Sequence, residues 1–356
     1  MTYKSQLTLG GRVGGGQFGD VYEGQDPVHG KVAVKVLKQK PGESTADWAA
    51  RSTALLKEAQ HLKTATHDNV VQVHNIVRDS TNDVLHLVTE FCDGGSIDTP
   101  YQDGPLTLPQ VRKIITDACR GLEHIHSRGM VHRDIKPGNI LRHGRAYKVS
   151  DFGLVSDTLL LGYASADGYL CHLAPEVLGN PATGTAGVTS CKTDVWAMGM
   201  TVYRLLSGHH WYLKNFAGLA SANDVRQMII DGGFCHGLAW LPHVPESWRK
   251  FVRKAMHDDA AHRFQTALSM SQALAQLPIA PTWACTHTHP ETIWTLTDGS
   301  RTVTVTWKIH SPRRHEWYAV RSGGGKRDFS AGGVQGKILN SRAARAEIEN
   351  FFANWA

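Results

Sequence analysis

Four glycines fall within seven positions in VGGGQFG, residues 13 to 19, and a lysine, Lys35, sits a short way downstream in the run VAVKV. Glycine weakens a strand, so a cluster like this marks a tight turn or a place where backbone must approach something closely. Gly14, Gly16 and Gly19 fit G-x-G-x-x-G, a spacing that lets backbone N–H groups face phosphate oxygens. A dinucleotide fold requires a helix to open after the last glycine. Here VYEGQDPVHGKVAVKVLK reads instead as a strand, a polar turn with Pro27 and Gly30, and an alternating strand carrying Val32, Val34 and Val36. The glycines therefore belong to a loop folded between two antiparallel strands, with amides available to an anion. A lone strand lysine is ordinarily a solvated or edge residue, so Lys35 gains meaning only from the residues downstream of it.

The next stretch is WAARSTALLKEAQHLKTA, with Ala54, Leu55, Ala59 and Leu62 at helical spacing and Glu58 as its acidic residue, then HDNVVQVH. Further on come VHRDIKPGNIL at 131–141, the strand-like YKVS, DFG at 151–153, APE at 174–176, DVWAMG at 194–199 and HRF around Arg263. Any one of these is weak, but their order and separations are not accidental. Residues from about 8 to 278 resemble a eukaryotic-like, Hanks-type serine/threonine protein kinase, whose V-A-I-K, catalytic-loop, D-F-G and A-P-E signatures these match.

The resemblance implies an α+β, two-lobed fold, with a β-rich N-lobe to about residue 90, a hinge at 90–96 and a helical C-lobe at 97–278. It also implies ATP and Mg2+. Phosphoryl transfer asks chiefly for positioning and charge stabilisation. By the same resemblance, Asp134 is the catalytic base, and Lys136 meets the transferring phosphoryl group. Lys35, held by Glu58, grips the nucleotide phosphates, and Asp151 with Asn139 holds the metal, their oxygens being the hard donors Mg2+ takes. The nucleotide would lie against Val13, Gly14, Gly15, Gly16, Gly19 and Val21 of the flap. Ala33 and Leu141 would cover the adenine faces, with Thr89 at the back of the pocket. Glu90 and Cys92 would offer backbone hydrogen bonds, and Asp93 would reach the ribose. Glu176 with Arg263 would brace the lower lobe, and Asp194 would tie down the catalytic loop.

Lys136 favours a protein serine or threonine as acceptor, although Tyr169 in GYLCHLAPE stands where such kinases usually carry threonine. That departure leaves the preferred peptide open. Arg133 beside Asp134 is the kind of cation that a phosphate in the activation segment, 151–176, would neutralise. Ser156, Thr158, Tyr163, Ser165 and Tyr169 are its candidate acceptors, and self-phosphorylation is expected there. The stretch LLLGYA in this segment is unusually apolar for an exposed loop.

Composition sets the frame. The chain has 356 residues, 41% hydrophobic and 20% charged, the proportions of an ordinary globular protein. No apolar run reaches a membrane span and the first ten residues lack a secretory core, so a cytoplasmic location is expected. Six cysteines without paired spacing read as reduced, packed thiols. Residues 281–356 hold ten Lys/Arg and six Asp/Glu, hence +4 of the net +6.

Past residue 278 no family is recognised. LPIAPTWACTHTHP reads as a linker over 279–290. Cys285, His287 and His289 are read as linker composition and not as a zinc site. TIWTLT, a DGS turn and TVTVTWKI form a hairpin, HEWYAVRS adds a third strand, and Ile348, Phe351, Phe352 and Trp355 mark one face of a closing helix. A small β-β-β-α domain over 291–356 is therefore expected, a β-meander closed by a helix. Its Arg313, Arg314, Arg321, Lys326 and Arg327, interleaved with Trp317 and Tyr318, would suit nucleic acid or another acidic partner. Solvated strand edges give the same pattern and are the preferred reading. Arg342 and Arg345 run against the dipole of the last helix. A small-molecule phosphotransferase and a non-catalytic scaffold are the rival readings of the whole chain.

Overall fold

The computed structural model describes residues 7–16, 19–63, 66–79, 82–151, 170–179, 187–216, 221–323 and 329–355. Its first unit is a sheet of β1 (Thr8–Gly16), β2 (Gly19–Asp26), β3 (Gly30–Leu37), β4 (Val73–Asp79) and β5 (Val84–Glu90), antiparallel in the order β1-β2-β3-β5-β4. Strand alternation sorts β3 into two faces. Val32 and Val34 pack with Val88 in a small cluster on one face, while Leu37 joins the main core on the other, the face that also carries Lys35. Helix α1 (Thr45–Lys63) starts where the Ser44 hydroxyl accepts the Asp47 N–H, and it buries Trp48, Leu55 and Ala59. Ala54, expected on that apolar face, is exposed.

The helical lobe comes next as α2 (Asp98–Asp103), α3 (Leu108–His126), the hairpin β6 (Ile140–His143) and β7 (Ala146–Val149), then α4 (Pro175–Leu178) and α5 (Cys191–Ser207). It continues with α6 (His209–Leu213), α7 (Ala222–Ile230), α8 (Glu246–Ala255) and α9 (Ala267–Ala275). Ser190 and Thr193 form a reciprocal cap at the start of α5. From Thr193 onward α5 is buried on every side, as befits the central helix of a lobe. In α3, a Cβ on Gly121 would meet the Asn69 carbonyl at 2.2 Å. This glycine lets the helix lie directly against the 69–71 segment, which bridges to Val149 of β7.

The C-terminal sheet is a meander of β8 (Ala284–Thr288), β9 (Glu291–Asp298), β10 (Arg301–Ser311), β11 (Arg314–Gly323) and β12 (Phe329–Gly333), closed by α10 (Ser341–Ala353). Five strands stand where the sequence reading has three, and β8 falls inside the stretch read as linker. Its ACTHT alternates cleanly, turning Cys285 and His287 inward, but prolines on both sides give it the look of a connection. Asp298 pairs with Arg301, so the tight turn is Gly299-Ser300, with Gly299 at φ +57°. One connected apolar core runs from Leu37 through both lobes to Ile348.

This sheet rests on the helical lobe. Trp294 donates its indole N–H to His243 Nδ1 at 2.8 Å, and Arg345 donates to the Trp240 carbonyl at 2.7 Å. Glu349 accepts from both Arg345 (3.0 Å) and Arg249 (3.2 Å). Arg345, unfavourable for its own helix dipole, thus has one partner across the interface, the Trp240 carbonyl, and one on its own helix, Glu349. Trp317 and Tyr318 are neighbours and so project from opposite faces of β11. Trp317 is buried with its N–H on Glu347 at 2.8 Å, and Arg321 stacks 5.2 Å from Trp355. Trp317 is therefore not available to stack a base. Lys326 and Arg327 lie outside the described residues.

Candidate active site

The loop after α3 is shaped from beneath by Asp194, in the first turn of α5, where the helix dipole favours a carboxylate. Asp194 is 1% exposed and accepts the backbone N–H groups of His132 and Arg133, each at 2.8 Å, with His126 Nε2 also at 2.8 Å. These bonds hold Arg133 at φ +70°, a conformation a non-glycine residue adopts only when its surroundings insist. Burial pushes the His132 imidazole below its usual range, which keeps its Nδ1 able to accept the Asp134 N–H at 3.2 Å.

Asp134 therefore arrives in the cleft as a fixed group. Its Oδ2 accepts from Asn139 Nδ2 at 2.6 Å and from Lys136 Nζ at 3.0 Å. Its Oδ1 is buried and has no hydrogen-bond partner among the described residues. Pro137–Asn139 form a single 3-10 turn, and the Asn139 carbonyl accepts both the N–H (2.9 Å) and the hydroxyl (3.2 Å) of Ser150. That pair of bonds brings the next residue, Asp151, to the same cleft, at φ +58°.

Lys35 Nζ lies 2.9 Å from Asp151 Oδ1, an ion pair between the two lobes, with the lysine side chain 7% exposed. Burial pushes the Asp151 carboxyl up, but the charge and hydrogen bond of Lys35, with Lys136 and His132 behind them, bring it below its ordinary value. Glu58 is carried by α1, and its side chain lies outside the described residues. The Asn139 amide nitrogen is committed to Asp134, so what this residue has to offer a cation is its oxygen. Asn139 and Asp151 suit Mg2+, a hard ion that fills its remaining positions with phosphate oxygens and water.

The flap over this cleft is the β1–β2 hairpin, paired Gly14 to Val21, Gly15 to Asp20 and Gly16 to Gly19. Gly19 has φ +132°, and a Cβ there would sit 2.2 Å from the Val36 carbonyl, so no other residue fits. Val13 is exposed on β1. Behind the flap, Ala33 pairs with Thr89, whose hydroxyl donates to the Ala33 carbonyl at 3.4 Å. Cys92 is buried, its thiol pushed up to about 12 by burial. Leu141 bridges to Ser96, laying the end of the hinge on β6. Asp93 Oδ1 accepts the Gly144 N–H at 3.1 Å, so this carboxylate is engaged with the β6–β7 turn.

Away from the cleft, Arg263 makes a two-pronged pair with Glu176, at 2.7 and 2.9 Å. Tyr169 and the other activation-segment candidates, with LLLGYA, lie outside the described residues. Three participants escape a sequence reading: Lys148, which binds both oxygens of Glu90, and the buried pair His172 and Arg204. A lysine among the apolar residues of YKV was the one available signal. Among the described residues no group of three His, Cys, Asp or Glu side chains is placed to hold a metal, and no helix is long and apolar enough to cross a membrane.

A family model described as protein kinase domain matches residues 7–276. Serine/threonine-protein kinase PrkC of Bacillus subtilis is 28% identical over 267 residues, covering 72% of this chain and 38% of its own. Serine/threonine-protein kinase PknB of Mycobacterium leprae is 28% identical over 281 residues, covering 76% and 42%. Serine/threonine-protein kinase TOS3 of Saccharomyces cerevisiae is 32% identical over 217 residues, covering 55% and 39%. The chain thus spans about two fifths of the length of these relatives.

Proposed function

This chain belongs to the protein kinase family, and from that premise we propose that it transfers the γ-phosphate of ATP, with Mg2+, to a serine or threonine hydroxyl of a protein. The observation that carries this reading is the state of Asp134: one oxygen held by Asn139 and Lys136, the other buried and unclaimed among the described residues. A carboxylate held in this way orients an incoming hydroxyl and accepts its proton. Lys136, already beside it, offsets charge on the transferring group, and Lys35 offsets charge on the nucleotide side. Mg2+, held by Asp151 and Asn139, would supply further neutralisation of the phosphates. The flap hairpin, Ala33, Thr89, Leu141 and the hinge form the nucleotide site.

Arg133, turned by Asp194 into a strained conformation, suits regulation by phosphate in the activation segment, and self-phosphorylation there belongs to this reading. The C-terminal domain serves as an accessory unit for recruitment or regulation. All six cysteines are free and five are buried, which fits a reducing compartment, and the cytoplasm is the location we assign.

Labelled ATP, a generic protein acceptor and Mg2+, with Asp134→Asn alongside, test the proposal. Label on protein that falls by about 10²-fold or more in the variant supports it. Label confined to small molecules would point to a metabolite phosphotransferase, and none on anything to a scaffold.

A further inference from the structure

The short helix α6 stands between the C-terminal sheet and the turn that leads into APE. Trp211 and Tyr212 are consecutive on it and both buried, and in a helix consecutive side chains diverge by about 100°. Trp211 meets the sheet. Its ring is edge-on to His287 of β8 at 5.1 Å and lies 6.2 Å from Trp307 of β10, while its N–H donates to the Ala239 carbonyl at 2.8 Å. Tyr212 meets the other side, where its ring lies 4.9 Å under the Arg204 guanidinium and its hydroxyl faces the Cys171 thiol closely enough to influence its ionisation.

Arg204 is stacked between Tyr212 and Tyr101, 4.7 Å from the latter, and its Nη1 donates to His172 Nε2 at 3.0 Å. Burial and the Arg204 charge hold His172 well below its ordinary range, so the ring is neutral and can accept. No carboxylate lies within ion-pair distance of Arg204 among the described residues. A buried cation without a counter-ion costs stability, which is a poor use of this position unless the geometry it imposes matters. Cys171 and His172 form the turn that feeds the APE helix, and the Trp196 N–H clasps the Cys171 carbonyl at 3.0 Å.

We infer that the C-terminal domain is a positioning element for the protein substrate: through Trp211 and Tyr212 it sets the 170–172 turn, and with it the loop that receives the residues around the phosphoacceptor. This rests on the kinase reading. The nucleotide elements, β1 to β3, β5 and the 132–139 loop, are a separate set. The bonds and ring contacts described between the C-terminal domain and the lobe fall instead on α6, on the 240–243 loop and on Arg249 of α8.

The test uses the full chain with His287→Ala, which removes a contact to Trp211. A control, Ile348→Ala, weakens the same domain beneath α10. His287→Asn serves as a milder form if His287→Ala does not fold. Matched for loss of melting temperature, His287→Ala should raise KM for a protein acceptor about threefold to tenfold, with KM for ATP and kcat within about twofold, the signature of lost acceptor binding. Amide hydrogen exchange at 170–178 should quicken in His287→Ala and not in Ile348→Ala. Equal shifts in both variants, or unchanged exchange in His287→Ala, would overturn the inference. Exchange is read without substrate. A wild-type protein that transfers no phosphate therefore sinks the kinase reading, while exchange still decides the coupling.

Discussion

Lys148 Nζ lies 2.9 Å from each carboxylate oxygen of Glu90, which ties the last residue of β5 to the β7 strand of the other lobe. The two side chains are 12% and 20% exposed, so the pair is shielded but not dry. A link at this place would restrain the angle between the lobes, and with it the proposed nucleotide site. Lys148→Met should cost about 1–3 kcal/mol, less than a fully buried pair because water still reaches Glu90. It should also raise KM for ATP. Adding Glu90→Gln should give back part of the loss, measured as a coupling energy in a double-mutant cycle. Strict additivity would mean that the pair fixes nothing.

Arg263 is 2% exposed and donates to Glu176 as well as to the carbonyls of His257, Asp258 and Lys192. Arg263→Met strands one carboxylate and three carbonyls, and urea unfolding should record a loss of about 3–5 kcal/mol. Glu176→Gln leaves the guanidinium its backbone acceptors and should cost about 1–2 kcal/mol. The reverse order would contradict the bracing role.

Acid should loosen the C-terminal interface. Burial holds His243 and His287 down at about 3, and each neutral ring has a partner, Trp294 N–H for His243 and the Thr292 hydroxyl for His287. In the unfolded chain both titrate near their ordinary value of about 6.5. Between those values the unfolded state binds protons that the folded state does not, so stability is full above about pH 7 and falls as pH drops. The expected loss is about 1.4 kcal/mol per group at pH 5.5, or about 3 kcal/mol together. His243→Gln and His287→Gln should each flatten the slope of unfolding free energy against pH between 5 and 6 by about one proton. An unchanged slope would mean the ring already carries its proton when folded.

Thiol labelling should separate the cysteines. Cys92, Cys119, Cys171, Cys235 and Cys285 are buried and Cys191 is partly exposed. Burial raises the first five, Cys92, Cys119 and Cys171 to about 12 and Cys235 to about 11, so their thiolates are scarce at pH 8. Native protein should show one fast thiol, lost in Cys191→Ser. A second fast thiol would mean that the segment covering one of the other five opens readily.

Much of this was legible in the sequence because it is encoded locally. Period-two alternation announced β3, β9 and β10, and the absence of a helix after Gly19 separated a flap from a dinucleotide turn. The ordered motifs named Asp134, Asn139 and Asp151 before their geometry was known. Strand β8 hid because five alternating residues between prolines look like a connection until a neighbour pairs with them.

Chain-local chemistry thus determined which groups are present and which backbone states they can adopt. Only the tertiary structure decided who stands beside whom. Lys148 lies 58 residues from Glu90, Arg345 lies 105 from Trp240, and Trp211 lies 76 from His287. Such pairs form through burial and shape, which depend on the sum of all contacts and leave no spacing rule along the chain. The same holds for two strained residues of the cleft, Arg133 and Asp151. Their identities are visible as letters, but their left-handed backbones exist only because Asp194 and Asn139 hold the surrounding loops from a distance.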